Sequence, residues 1–142
     1  MSFAGGNCRV PTQRVCERRR LVAVVRLAAD EKAAAQARRF ARSWSTGQAL
    51  SPRLVDDIEL VVAELVSNAV RHAPPPYDVE LSESDGMIRG EVCDGSQVVP
   101  APNPHPDHRG GFGLGIVTAC TSRWGTALNG DGKYVWFEVP RS

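Results

Sequence analysis

DVELSESDGMIRGEVCD, residues 78–94, decides the fold. Two runs rich in strand-forming residues flank Asp85-Gly86, a dipeptide that favours a two-residue hairpin turn. A second such unit closes the chain: WGTALN (124–129), a GDG turn, then KYVWFEVP (133–140). Strands joined by hairpins run antiparallel, whereas a doubly wound fold needs a helical crossover between parallel strands. Upstream, RLVAVVRL (20–27) is β-branched and compact and reads as a further strand.

Two helices separate that strand from the first hairpin. EKAAAQARRFARSW (31–44) is rich in alanine and arginine, and Asp30 is placed to cap it. SPRLVDDIELVVAELVSNAVRHA (51–73) opens with Ser51 as N-cap and Pro52 at the first helical position. Ile58, Val62, Leu65 and Ala69 recur at helical spacing as its core stripe, and APPP (73–76) ends it. A short helix is expected within GGFGLGIVTACTSR (110–123). The order strand, two helices, hairpin, helix, hairpin predicts an α+β two-layer sandwich. Its sheet would be mixed and largely antiparallel, with the helices packed on one face. Residues 1–18 lack apolar periodicity and are expected to form a flexible arm, leaving 19–142 as one domain.

Composition narrows the function classes. The chain has 142 residues, 42% hydrophobic and 23% charged, with a net charge of +1. That size supports a core without disulfides or a structural metal. That charge provides no strong field toward nucleic acid or membrane. No run approaches the ~20 apolar residues of a membrane span, and the N-terminus lacks the apolar centre of a signal peptide. A cytoplasmic protein with four reduced cysteines is expected, since Cys8, Cys16, Cys93 and Cys120 form no CxxC pair. HPDH (105–108) falls short of a closed zinc site. Trp124 and Trp136 are expected in the core.

Three stretches carry chemistry. Glu64 and Asn68 lie one helical turn apart on one face, with His72 about 40° further round, and the stripe borders the apolar one. It suits a pocket wall: a carboxylate accepts a proton, and an amide oxygen is a hard ligand for Mg2+. A solvated polar face would look the same. CDGS (93–96) ends a strand with Asp94 and Gly95. The carboxylate could accept from the exocyclic amine of adenine and would repel the carbonyl of guanine, and Gly95 would let a flat ring pack on the backbone. A simple strand-ending turn is the alternative. GGFGLGIV (110–117) leads glycines into a helix, a pattern that aims free N–H groups at an anion. It matches neither a P-loop nor a dinucleotide fingerprint, and a hinge is its alternative. Between these stretches runs a proline-rich loop from Ser96 to Arg109, of a length usual for lids.

The order of the three stretches resembles the GHKL ATPase superfamily, which includes histidine kinases, gyrase, MutL proteins and anti-sigma-factor serine kinases. ELVSNAVRHA (64–73) is similar to its N box, CDGS to its first glycine box and GGFGLGIV to its second. The short chain and SRWG (122–125) are most similar to the serine kinase branch. The resemblance implies ATP and Mg2+ as cofactors, Glu64 as general base and Asn68 as metal ligand. It further implies nucleotide contacts from Asn68, His72, Asp94, Gly95, Gly110, Gly111, Gly113, Leu114 and Gly115. It implies phosphorylation of an anti-sigma-factor antagonist, with a sigma factor as a further partner and homodimerisation open. A non-catalytic module that binds nucleotide or partner is the alternative. Two departures favour it: Ser96 replaces a second glycine common in the first box, and GDGKY (130–134) lacks a threonine common before the last strand.

Overall fold

A computed structural model describes residues 21–99 and 114–142. Its elements are β1 (Leu21–Arg26), α1 (Ala33–Gly47), α2 (Pro52–His72), β2 (Asp78–Ser84), β3 (Met87–Asp94), α3 (Leu114–Cys120), β4 (Arg123–Asn129) and β5 (Gly132–Pro140). The five strands form one sheet in the order β1-β2-β3-β5-β4. All four pairings are antiparallel, so the sheet is more regular than the mixed one expected.

The two hairpins turn for local reasons. Asp85 (φ 54°) and Gly86 (φ 79°) both take positive φ, as a type I′ turn requires. Asn129 pairs with Gly132, which leaves Gly130-Asp131 as a two-residue turn with Gly130 at φ 61°. The turns set the register, and the period of two then sorts the side chains. Val79, Leu81, Ile88, Val92, Val135, Phe137 and Val139 are buried together in the core.

The helices cover that face. In α1, Ala33, Ala37, Ala41 and Ser45 repeat every four residues and are fully buried. Their small size lets α1 lie close on α2. The buried face of α2 is therefore broader than one stripe: Val55, Val61, Ala63 and Val66 join Ile58, Val62, Leu65 and Ala69. Ser51 caps α2 as expected, its Oγ accepting from Leu54 N at 3.2 Å. Asp30 does not cap α1 directly. Its carboxylate accepts from Lys32 N at 2.9 Å, closing a turn before a helix that begins at Ala33.

Two expectations need correction. Trp136 is not in the helix-covered core. Its neighbours Val135 and Phe137 face inward, so alternation turns it to the other side of the sheet, under the guanidinium groups of Arg89 (4.8 Å) and Arg123 (5.7 Å). Trp124 is half-buried against the core, and its indole N–H donates to Thr118 Oγ1 at 2.9 Å. Cys93 is disulfide-bonded and Cys120 is free, against the four thiols expected. Among the described residues no helix is long and apolar enough to cross a membrane.

Candidate functional site

The C-terminal half of α2, the end of β3, the start of α3 and the start of β5 converge on one cavity of about 180 Å³. Leu65, Ala69, Val92, Leu114 and Val135 supply apolar walls, and Asn68, His72, Asp94 and Lys133 supply the polar ones. Mostly apolar walls with a few convergent polar groups are the usual anatomy of a small-molecule site.

Asp94 sits at the polar end, with only 3% of its side chain exposed. The final inward position of β3 brings it there, because Asp94 faces the same way as Val92 and Ile88. Its Oδ1 accepts from Ser96 N at 2.8 Å. The pairing of β3 with β5 sets Asp94 opposite Lys133. Lys133 Nζ lies 2.9 Å from Asp94 Oδ1 and 2.8 Å from Oδ2, itself buried. The sequence reading had Asp94 as a lone acceptor; the structure makes it half of a buried ion pair.

Gly95 is also required by the fold itself. A Cβ there would come within 2.6 Å of Pro75 O and 3.0 Å of Pro74 O. Gly95 N donates to Pro74 O at 2.8 Å. The bare Cα thus meets the segment after α2, and this contact holds the end of β3 beside the end of that helix.

Asn68 is buried beside the cavity. Its Oδ1 accepts from Arg71 Nη2 at 2.7 Å, while its Nδ2 has no partner among the described residues. An unpaired buried donor is costly and points to a group that arrives from outside. His72 lines the same cavity. Burial pushes its pKa below the ordinary value, and the cations Arg71 and Lys133 push it further down.

Glu64 is half-buried one turn before Asn68 and outside the cavity wall. Leu114 is buried in the wall, and Gly115 has open space where a Cβ would stand. Gly110, Gly111 and Gly113, the lid expected up to Arg109 beyond Val99, and the arm 1–18 lie outside the described residues. No group of three or more His, Cys, Asp or Glu able to hold a metal occurs among the described residues.

With this geometry in hand, the family model described as "Histidine kinase-like ATPase domain" matches residues 27–138. The chain belongs to this family. Among solved structures, the histidine kinase-like ATPase domain described here is similar to the RsbU and RsbW domains of Rv1364c from Mycobacterium tuberculosis. The TM-score is 0.68 with 21% identity over 84% of this chain. At that identity the likeness is one of fold. This domain spans 32% of the length of that chain. No curated protein matches the sequence.

Lys133 and Arg71 are the site residues that sequence reasoning missed. Nothing local marks them. Lys133 faces the cavity only through the register of β3 with β5, and Arg71 reaches Asn68 only through side-chain geometry.

Proposed function

We propose that this domain binds ATP with Mg2+ and acts as a protein serine kinase of the anti-sigma-factor type. Its substrate would be a small regulatory antagonist in the cytoplasm, and a sigma factor would be a second partner. The observation that carries the nucleotide reading is the buried Asp94 carboxylate at the end of an apolar cavity, in a domain of the histidine kinase-like ATPase family. The unpartnered Nδ2 of Asn68 supports it, since a buried amide with spare capacity beside the cavity fits an incoming polar group.

Asn68 would hold Mg2+ through Oδ1, after Arg71 gives that oxygen up. Bound there, the cation would offset phosphate charge. Glu64, one turn away, would take the proton of the substrate serine as the phosphoryl group transfers. Positioning and electrostatics supply most of the catalysis in such reactions. The glycines from Gly110 to Gly115 would lie against the phosphates.

Calorimetric titration with ATP and Mg2+ tests the reading. Binding is expected, and no heat at millimolar ATP would remove it. Glu64→Gln should keep ATP affinity within a few-fold and lower phosphotransfer by ~10²–10⁴. Transfer at the wild-type rate would remove Glu64 as the base.

A second reading, a non-catalytic binding module, is favoured by one specific observation: both key polar groups are engaged internally, Asp94 by Lys133 and Asn68 Oδ1 by Arg71. ATP binding without transfer to any serine-bearing partner would select it.

A further inference from the structure

The Lys133–Asp94 pair changes what the cavity can read. A carboxylate has about four acceptor positions and an ammonium three donors. Lys133 contacts both oxygens of Asp94, at 2.9 and 2.8 Å, and Ser96 N takes a further position on Oδ1. The outer lone pair of Oδ2 and one N–H of Lys133 are then left over among the described residues. Both side chains line the cavity. The polar end therefore offers a donor beside an acceptor, not a bare anion.

We infer that Lys133 determines base specificity, making this cavity competent for 6-oxopurine nucleotides, guanine and hypoxanthine, as well as for adenine nucleotides. The inference rests on the nucleotide reading above. Adenine presents N1 as acceptor beside the N6 amine as donor. Guanine and hypoxanthine present O6 as acceptor beside N1–H as donor. Donor and acceptor exchange places between the two edges, so a 6-oxopurine turned over relative to adenine places its acceptor on Lys133 Nζ and its donor on Asp94 Oδ2, as adenine does in its own orientation. Without Lys133, O6 would meet a buried carboxylate, and two acceptors with no proton between them repel. With it, O6 receives a charge-assisted hydrogen bond, the stronger kind. A hydrogen-bonding edge that meets its complement separates substrates far more sharply than added bulk does.

The test is a base series on the wild-type protein, with ADP, GDP and IDP titrated by calorimetry in the presence of Mg2+. GDP and IDP are expected to bind within about tenfold of ADP. If both bind more than about tenfold more weakly than ADP, the inference is overturned while the nucleotide reading stands. If no purine nucleotide binds at millimolar concentration, the nucleotide reading falls and the inference falls with it. Lys133→Gln, which keeps a donor, and Lys133→Met, which does not, attribute the effect. The ADP preference over IDP should rise at least about tenfold in Lys133→Met and change less in Lys133→Gln. An unchanged preference in a folded Lys133→Met protein would overturn the role of Lys133. If Lys133→Met does not fold, the wild-type base series decides the question alone.

Discussion

At the scale of single residues, the most consequential feature is the Asp94–Lys133 pair, a buried ion pair in the cavity wall. Breaking a buried pair leaves one charge without a partner, at a cost of about 3–5 kcal/mol. Asp94→Ala is therefore expected to destabilise the protein by about that amount, and not only to remove the proposed nucleotide contact. Asp94→Ala combined with Lys133→Met should recover most of the loss, since removing both charges leaves neither buried alone. Urea denaturation of the two single variants and the double variant measures the coupling. Additive losses would mean that the two residues do not act as a pair. His72 gives a second prediction. Its folded pKa lies below its unfolded value, so its contribution to stability is present above the unfolded pKa of about 6.5 and is lost as pH falls through the folded value. An NMR titration should place the His72 midpoint below 6.5, the ordinary value. Lys133→Met should raise that midpoint, because a neighbouring cation is gone. A midpoint unmoved by the variant would remove Lys133 as a cause.

At the scale of elements, the sandwich depends on close approach. In α1 the Ala33, Ala37, Ala41 and Ser45 stripe is closed to solvent, so Ala37→Leu would force the side chain into α2. Overpacking of this kind costs about 1–3 kcal/mol. The sheet has a corresponding point at Gly90, where a Cβ would come within 2.3 Å of the buried Phe137 ring. Phe137 cannot swing away into solvent, so Gly90→Ala should lower stability by more than about 1 kcal/mol. Ser51→Ala, by contrast, removes only the α2 cap and should cost about 1 kcal/mol. Thermal unfolding of the three variants should rank Ser51→Ala as the mildest. A Gly90→Ala protein as stable as wild type would show that β3 and Phe137 shift apart at little cost.

At the scale of the whole molecule, the site lies where the helix layer and one end of the sheet meet. Asp94 N-terminal to the Pro74 contact, Lys133 at the start of β5, and Asn68 near the end of α2 are each anchored in a different element. Their relative positions exist only in the folded state, so a ligand that engages them binds the native state alone. At a hundred times its Kd such a ligand adds about 2.7 kcal/mol of stability. For a domain of this size the melting temperature should rise by several degrees with saturating ADP and Mg2+. The Asp94→Ala, Lys133→Met double variant should show little or no rise. An equal rise in both proteins would place the nucleotide elsewhere.

The sequence by itself determined the architecture. Strand alternation, the Asp85-Gly86 turn, the Ser51-Pro52 helix start and the hairpin order are local signals, and each is set by backbone sterics or hydrogen bonding within a few residues. The ranges of β2 and β3 were legible to the residue, and three polar residues singled out in α2 and CDGS, Asn68, His72 and Asp94, line one cavity. Helix-layer breadth was less legible, because a single stripe was visible where α1 and the sheet each bury a side of α2. Trp136 was misread because an aromatic on a strand does not reveal which face it takes; register decides that. The tertiary structure alone decided the partners: Lys133 with Asp94, Arg71 with Asn68, and Gly95 with Pro74 and Pro75. Asp94 and Lys133 are distant along the chain and meet only because the β3–β5 register aligns them on the same face. A period of two means that a one-residue slip would turn Lys133 to the opposite side of the sheet. No local pattern carries that information, and the chemistry of the site depends on it.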